Sequence, residues 1–167
     1  MKKEIEFLKE IVLKANDISK NVFEISNKGA ENDLVTNLDL EIEKFLIDEI
    51  GKEYPDFDIV SEEYNTNNQI TDNCFIIDPI DGTINFANNL PLWGIQVACV
   101  KNGKTIASVI SLPRINEFYY ADETGAYLNN KKININEVPI KNALYAVDGN
   151  NNLPCVQRMR KYSLNNR

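Results

Sequence analysis

At 167 residues with 43% hydrophobic content, the chain has the size and apolar share of one domain built around one core. A formal charge of −7, from 25 acidic against 18 basic residues, argues against nucleic acid as a partner, and the short basic run Arg158-Met159-Arg160-Lys161 does not reverse it. With no histidine, Ser-His-Asp hydrolysis, phosphohistidine chemistry and histidine-ligated zinc are excluded.

Cys74, Cys99 and Cys155 are odd in number and form no Cys-x-x-Cys pair, which suggests reduced thiols. No run approaches the roughly 20 apolar residues of a membrane span, and the N-terminus lacks a secretory apolar region. A cytoplasmic protein with no membrane partner is expected.

Ile5, Leu8, Ile11, Val12, Ala15, Ile18, Val22 and Ile25 recur at helical spacing and predict one amphipathic helix over about 2–26. A polar connection, 28–33, leads to a second helix carrying Leu38, Ile42, Phe45, Leu46 and Ile50 and ending near Gly51. Asp39 falls in its first turn, where a carboxylate suits the helix dipole and the cap as well as any other role. Phe57-Asp58-Ile59-Val60 predicts a short strand, and the Asn- and Thr-rich loop 65–73 is long enough to return the chain beside it as a strand from Cys74.

An apolar run from Leu92 to Val100, the turn signal Asn102-Gly103 and a return over Thr105–Leu112 predict a hairpin. Strands are then expected at Glu117–Ala121, Gly125–Leu128, Ile133–Ile135 and about 143–147, and a loosely ordered tail beyond about 149. Two N-terminal helices packed on a mainly antiparallel sheet give an α+β domain over 1–148.

The chemistry concentrates in Asp78-Pro79-Ile80-Asp81-Gly82-Thr83, with Glu62-Glu63 upstream. Phe75-Ile76-Ile77 can finish a buried strand and Pro79 disfavours further pairing, so Asp78 and Asp81 stand at a strand exit. Glu62-Glu63 stands at another. Hard cations such as Mg²⁺ take clustered oxygen ligands and keep positions for water and phosphate. Gly82 permits close backbone approach, and a helix starting at Thr83 would offer free N–H groups to an anion. The same six residues also suit a simple turn, and a glutamate pair suits an exposed acidic loop.

Leu34-Val35-Thr36-Asn37-Leu38-Asp39, Ser61-Glu62-Glu63 and Asp78-Pro79-Ile80-Asp81-Gly82-Thr83-Ile84-Asn85-Phe86 together resemble the inositol monophosphatase family of Mg²⁺-dependent, lithium-sensitive phosphatases. The resemblance covers roughly residues 5–145, and the fold it implies is the N-terminal domain of that family's sugar phosphatase fold. It further implies that Glu62, Asp78 and the carbonyl of Ile80 ligate a first metal, that Asp81 joins Asp78 on a second, and that Asp39 lies near a third. Glu62 and Thr83 would orient and deprotonate the attacking water, and the amides of Gly82 and Thr83 would bind phosphate. Lys28 stands where the family has a lysine near the site.

Two departures accompany the resemblance. Ile84 replaces a residue that is usually threonine, removing a hydroxyl beside the site. The family's Trp-Asp-x-Ala-Ala-Gly segment, which supplies a further metal ligand from a C-terminal domain, has no counterpart, since Trp93 is followed by Gly94-Ile95. The expectation is therefore a shortened member lacking the C-terminal domain, with an apolar face covered by self-association or a partner. Its implied function is Mg²⁺-dependent hydrolysis of a small phosphate monoester, inositol monophosphate foremost, with impaired turnover. The alternatives are a catalytically silent metal-binding or interaction subunit or, among enzymes, a 3'(2'),5'-bisphosphate nucleotidase or fructose-1,6-bisphosphatase.

Overall fold

The computed structural model describes residues 2–21, 23–27, 34–65, 69–135 and Pro139. The connection 28–33 with Lys28, the strand expected near 143–147, the tail from 149 and Cys155 lie outside the described residues. Residues 1–133 belong to one compact unit.

Helix α1 spans Lys2–Ile18 and stops about eight residues short of the end near 26 that the periodicity predicts. Its last turn tightens, with Lys20 N–H on the Asp17 carbonyl at 3.3 Å and Asn21 N–H on the Ile18 carbonyl at 3.0 Å. The Ser19 hydroxyl donates to the Asn16 carbonyl at 2.8 Å, satisfying an end group that a continuing helix would have used. Ile25, which sits in phase with the helical stripe, is 51% exposed and lies instead in strand β1 (Ile25–Asn27), paired antiparallel with β2 (Leu34–Thr36). Phe23, beyond the helix, packs on Phe86 with ring centroids 4.6 Å apart and planes tilted by 43°.

Helix α2 (Asn37–Glu53) begins on Thr36, whose side chain forms a reciprocal capping box with Asp39. Leu38, Ile42, Leu46 and Ile50 form its buried stripe, and Gly51 lies inside the helix, not at its end. Both long helices pack on a seven-stranded sheet of β3 (Asp58–Ser61), β4 (Cys74–Asp81), β5 (Gly94–Lys101), β6 (Lys104–Leu112), β7 (Glu117–Asp122), β8 (Gly125–Leu128) and β9 (Lys131–Ile133), neighbours in that order. Every pair is antiparallel except β3 with β4. The fold is α+β.

Ile95, Val97 and Cys99 of β5 alternate toward the helices, as a sheet covered on one face requires. Phe75 sits in the middle of this layer, ringed by Phe7, Tyr54 and Phe57 at centroid distances of 6.5, 5.1 and 5.5 Å. Cys74 and Cys99 are buried free thiols of the core. The β8–β9 turn is tighter than the sequence suggested. Asn129 and Asn130 take φ of 48° and 66°, the left-handed pair of a two-residue hairpin turn, so β9 starts at Lys131. Among the described residues no helix is long and apolar enough to cross a membrane.

Candidate active site

Two local features gather the acidic residues. Strands β3 and β4 run parallel with Ser61 opposite Ile77, so the residues that follow, Glu62 and Asp78, emerge side by side at one end of the sheet. The second feature is a bulge. In a regular strand Asp78 and Asp81, three apart, would point to opposite faces. Asp78 instead pairs with Gln96 and Asp81 with Gly94, three steps along β4 against two along β5, and the extra residue returns Asp81 to the face of Asp78. The strand expected to finish at Ile77 therefore runs on through Asp81, because a bulge accommodates Pro79, which has no N–H to pair.

Asp78 has the most perturbed carboxyl of the group. Burial, then the charges of Glu62 and Asp81, a hydrogen bond to Glu62 and the charge of Asp39 push it up to about 7. Its Oδ1 is buried and has no hydrogen-bond partner. Asp81 is exposed, and its Oδ2 accepts a hydrogen bond from the Gln96 amide.

Asp39, 1% exposed, is a cap and a site neighbour at once. Its Oδ2 accepts from Thr36 N–H at 2.8 Å and from the Thr36 hydroxyl at 2.5 Å. The other oxygen faces the Thr83 hydroxyl at 3.4 Å. Thr83 also has the Ile80 carbonyl within 3.0 Å, so a single hydroxyl proton lies between two acceptors. Burial raises the Asp39 carboxyl above the ordinary aspartate range, with the charge of Glu62 adding to it against the Thr36 hydrogen bonds.

Gly82 precedes the short helix α3 (Thr83–Ala87) at φ +86°, and a Cβ there would lie 3.2 Å from the Leu92 carbonyl. Both facts require glycine. Gly82→Ala is expected to cost about 1–2 kcal/mol through the left-handed backbone alone, read as a lowered midpoint in urea unfolding. Asn85 ties α3 to the following loop by donating to the Leu92 carbonyl at 2.6 Å, and Phe86 packs edge-on against Trp93. Ile84, the departure noted in the sequence, is 47% exposed.

The structure thus brings Asp39, Glu62, Asp78, Ile80, Asp81 and Thr83 to one rim, while Lys28 lies outside the described residues. One residue escaped the sequence reading. Glu43 of α2 is wholly buried, and its carboxylate accepts from the Ser61 hydroxyl at 2.6 Å, Glu63 N–H at 2.8 Å and Tyr64 N–H at 2.6 Å. Its only sequence signal is its place beside Ile42, on the flank of the apolar stripe.

The donor set at the rim is all oxygen and acidic, which is what a hard divalent cation takes, and Asp78 Oδ1 is a buried acceptor with nothing to accept from. Among the described residues no three acidic or thiol side chains are already grouped closely enough to hold an ion. The fit is therefore one of donor chemistry.

The sequence matches the inositol monophosphatase family over residues 3–162. It is 40% identical over 114 residues to the fructose-1,6-bisphosphatase/inositol-1-monophosphatase of Thermotoga maritima, covering 68% of this chain and 44% of that protein. The solved Thermotoga maritima IMPase superposes with a TM-score of 0.74 at 35% identity, over 81% of this chain and 54% of the other. An IMPase/NADP phosphatase solved with Mg²⁺ and phosphate gives 0.66 at 26% identity, over 78% of this chain and 51% of the other. The chain spans about half the length of these relatives. The chain belongs to the inositol monophosphatase family.

Proposed function

We propose that residues 1–148 carry the cation- and phosphate-binding part of a phosphatase that hydrolyses small phosphate monoesters, with Mg²⁺ as cofactor and inositol monophosphate as the favoured substrate. The observation that carries this reading is the partnerless buried Oδ1 of Asp78 among the carboxylates of Glu62, Asp81 and Asp39, a concentration of like charge that folding alone does not need. Support for Mg²⁺ comes from the related phosphatase solved with that ion and phosphate.

In this proposal Glu62, Asp78, the Ile80 carbonyl and Asp81 hold the cations. When bound, Mg²⁺ supplies Lewis acidity and brings the pKa of a water toward neutrality. Thr83 and Glu62 would orient the attacking water, and the Thr83 hydroxyl, set against Asp39 and the Ile80 carbonyl, is placed to relay a proton. The backbone amides of Gly82 and Thr83 take the phosphate oxygens, since Gly82 offers no side-chain cap to the first turn of α3.

Asp81→Asn tests the reading without touching the core. Mg²⁺ binding by calorimetry is expected to weaken about tenfold or more, and phosphate release from inositol monophosphate to fall with it. A variant that binds Mg²⁺ and releases phosphate as the parent does would end the proposal.

A further inference from the structure

We infer that Glu43 is a positioning residue for the cation site, its buried carboxylate anchoring the residues on both sides of Glu62; this rests on the proposed role of Glu62 as a cation ligand. Three donors converge on it: the Ser61 hydroxyl, one residue before Glu62, and the N–H groups of Glu63 and Tyr64, one and two residues after.

The arrangement suits a charged carboxylate and nothing else of that size. A buried charge is costly unless fully hydrogen-bonded, and hydrogen bonds to an ionised acceptor are the strong kind. Glutamine offers one acceptor oxygen where glutamate offers two, so it cannot receive Ser61, Glu63 and Tyr64 together. The parallel pairing of β3 with β4 ends at Ser61 and Ile77. Glu43 takes over there, from a different element.

Its consequence falls on Glu62. Anchors on either side restrain the backbone from which Glu62 projects. The clamp thus sets the place from which Glu62 reaches toward Asp78.

The test uses the full chain and magnesium chloride alone. In Glu43→Gln, hydrogen exchange at the Glu63 and Tyr64 amides is expected to speed up at least tenfold and Mg²⁺ affinity to fall at least tenfold, with far-UV circular dichroism unchanged. Val109→Ala, a cavity in β6 away from the loop, serves as the stability control and is expected to bind Mg²⁺ as the parent does. Unchanged affinity in Glu43→Gln, or an equal loss in Val109→Ala, would overturn the inference. Should Glu43→Gln fail to fold, Ser61→Ala, which removes one donor of the three, must weaken Mg²⁺ binding severalfold, and parental affinity there overturns it equally. A parent chain that binds no Mg²⁺ would instead remove the functional reading, and the inference with it.

Discussion

Asparagine in place of Asp78 is expected to make the Mg²⁺-free protein more stable at and above neutral pH and to abolish its stabilisation by Mg²⁺. Burial and the surrounding charges hold the Asp78 carboxyl at about 7, far above an exposed aspartate. The folded chain therefore keeps a proton that the unfolded chain has already released. Between the ordinary aspartate pKa of 3.8 and about 7, the folded state binds more protons, so rising pH erodes stability across that window, and the loss is complete above it.

Asparagine removes this dependence, because its amide is neutral and can donate to Glu62 as the protonated aspartate does. At pH 8 the variant should exceed the parent by about 1–2 kcal/mol, a figure reduced for the partial solvent exposure of the group. Near pH 4 the two should converge. Mg²⁺ reverses the order. At a hundredfold excess over its dissociation constant a ligand bound only by the folded state adds about 2.7 kcal/mol, which raises the midpoint of a domain this size by roughly 5–10 °C. The parent should show that rise and the variant none. Thermal melts of both proteins at pH 5 and pH 8, with and without Mg²⁺, check all four corners. Equal Mg²⁺ stabilisation of the two proteins would remove Asp78 from the cation site.

The parts of this site that were legible in the sequence are those set by neighbours along the chain. Asp39 in the first turn of the second helix reads as a cap, and it takes part in a capping box with Thr36. Asn102-Gly103 announces a hairpin, and the strands on either side pair through it, Lys101 opposite Lys104. The convergence of Glu62 with Asp78 followed from two strand exits at one sheet end, and parallel pairing supplies it. What depended on distant contacts was hidden. Ile25 continues the helical phase of α1, yet β2 claims it as a strand partner and Phe23 beside it packs on Phe86. The strand through Pro79 needed a bulge whose partner, β5, lies beyond the motif. Glu43 reads as one more charged residue of an amphipathic helix, and only the loop after β3 makes it an internal acceptor.

Asp39→Asn should separate the two duties of that residue, keeping the fold while removing the chemistry. Oδ2 of Asp39 takes both hydrogen bonds from Thr36, and an asparagine carbonyl oxygen in the same place can accept them, so the start of α2 survives. Burial disfavours the charged form of this carboxyl, as its raised pKa records, and a neutral amide is therefore tolerated or mildly stabilising. The loss lies on the other side. An amide nitrogen facing Thr83 donates where the carboxylate Oδ1 accepts, leaving the Thr83 hydroxyl proton to the Ile80 carbonyl alone. If Thr83 relays a proton toward Asp39 during hydrolysis, the substitution removes a positioned acceptor, a change worth about 10²–10⁴ in rate. Phosphate release should fall by that factor, with the unfolding midpoint within about 0.5 kcal/mol of the parent or above it. Steady-state assays beside urea unfolding read both quantities on one preparation. A variant that loses stability and rate together would reduce Asp39 to a helix cap, and one that keeps both would take Thr83 out of the proton path.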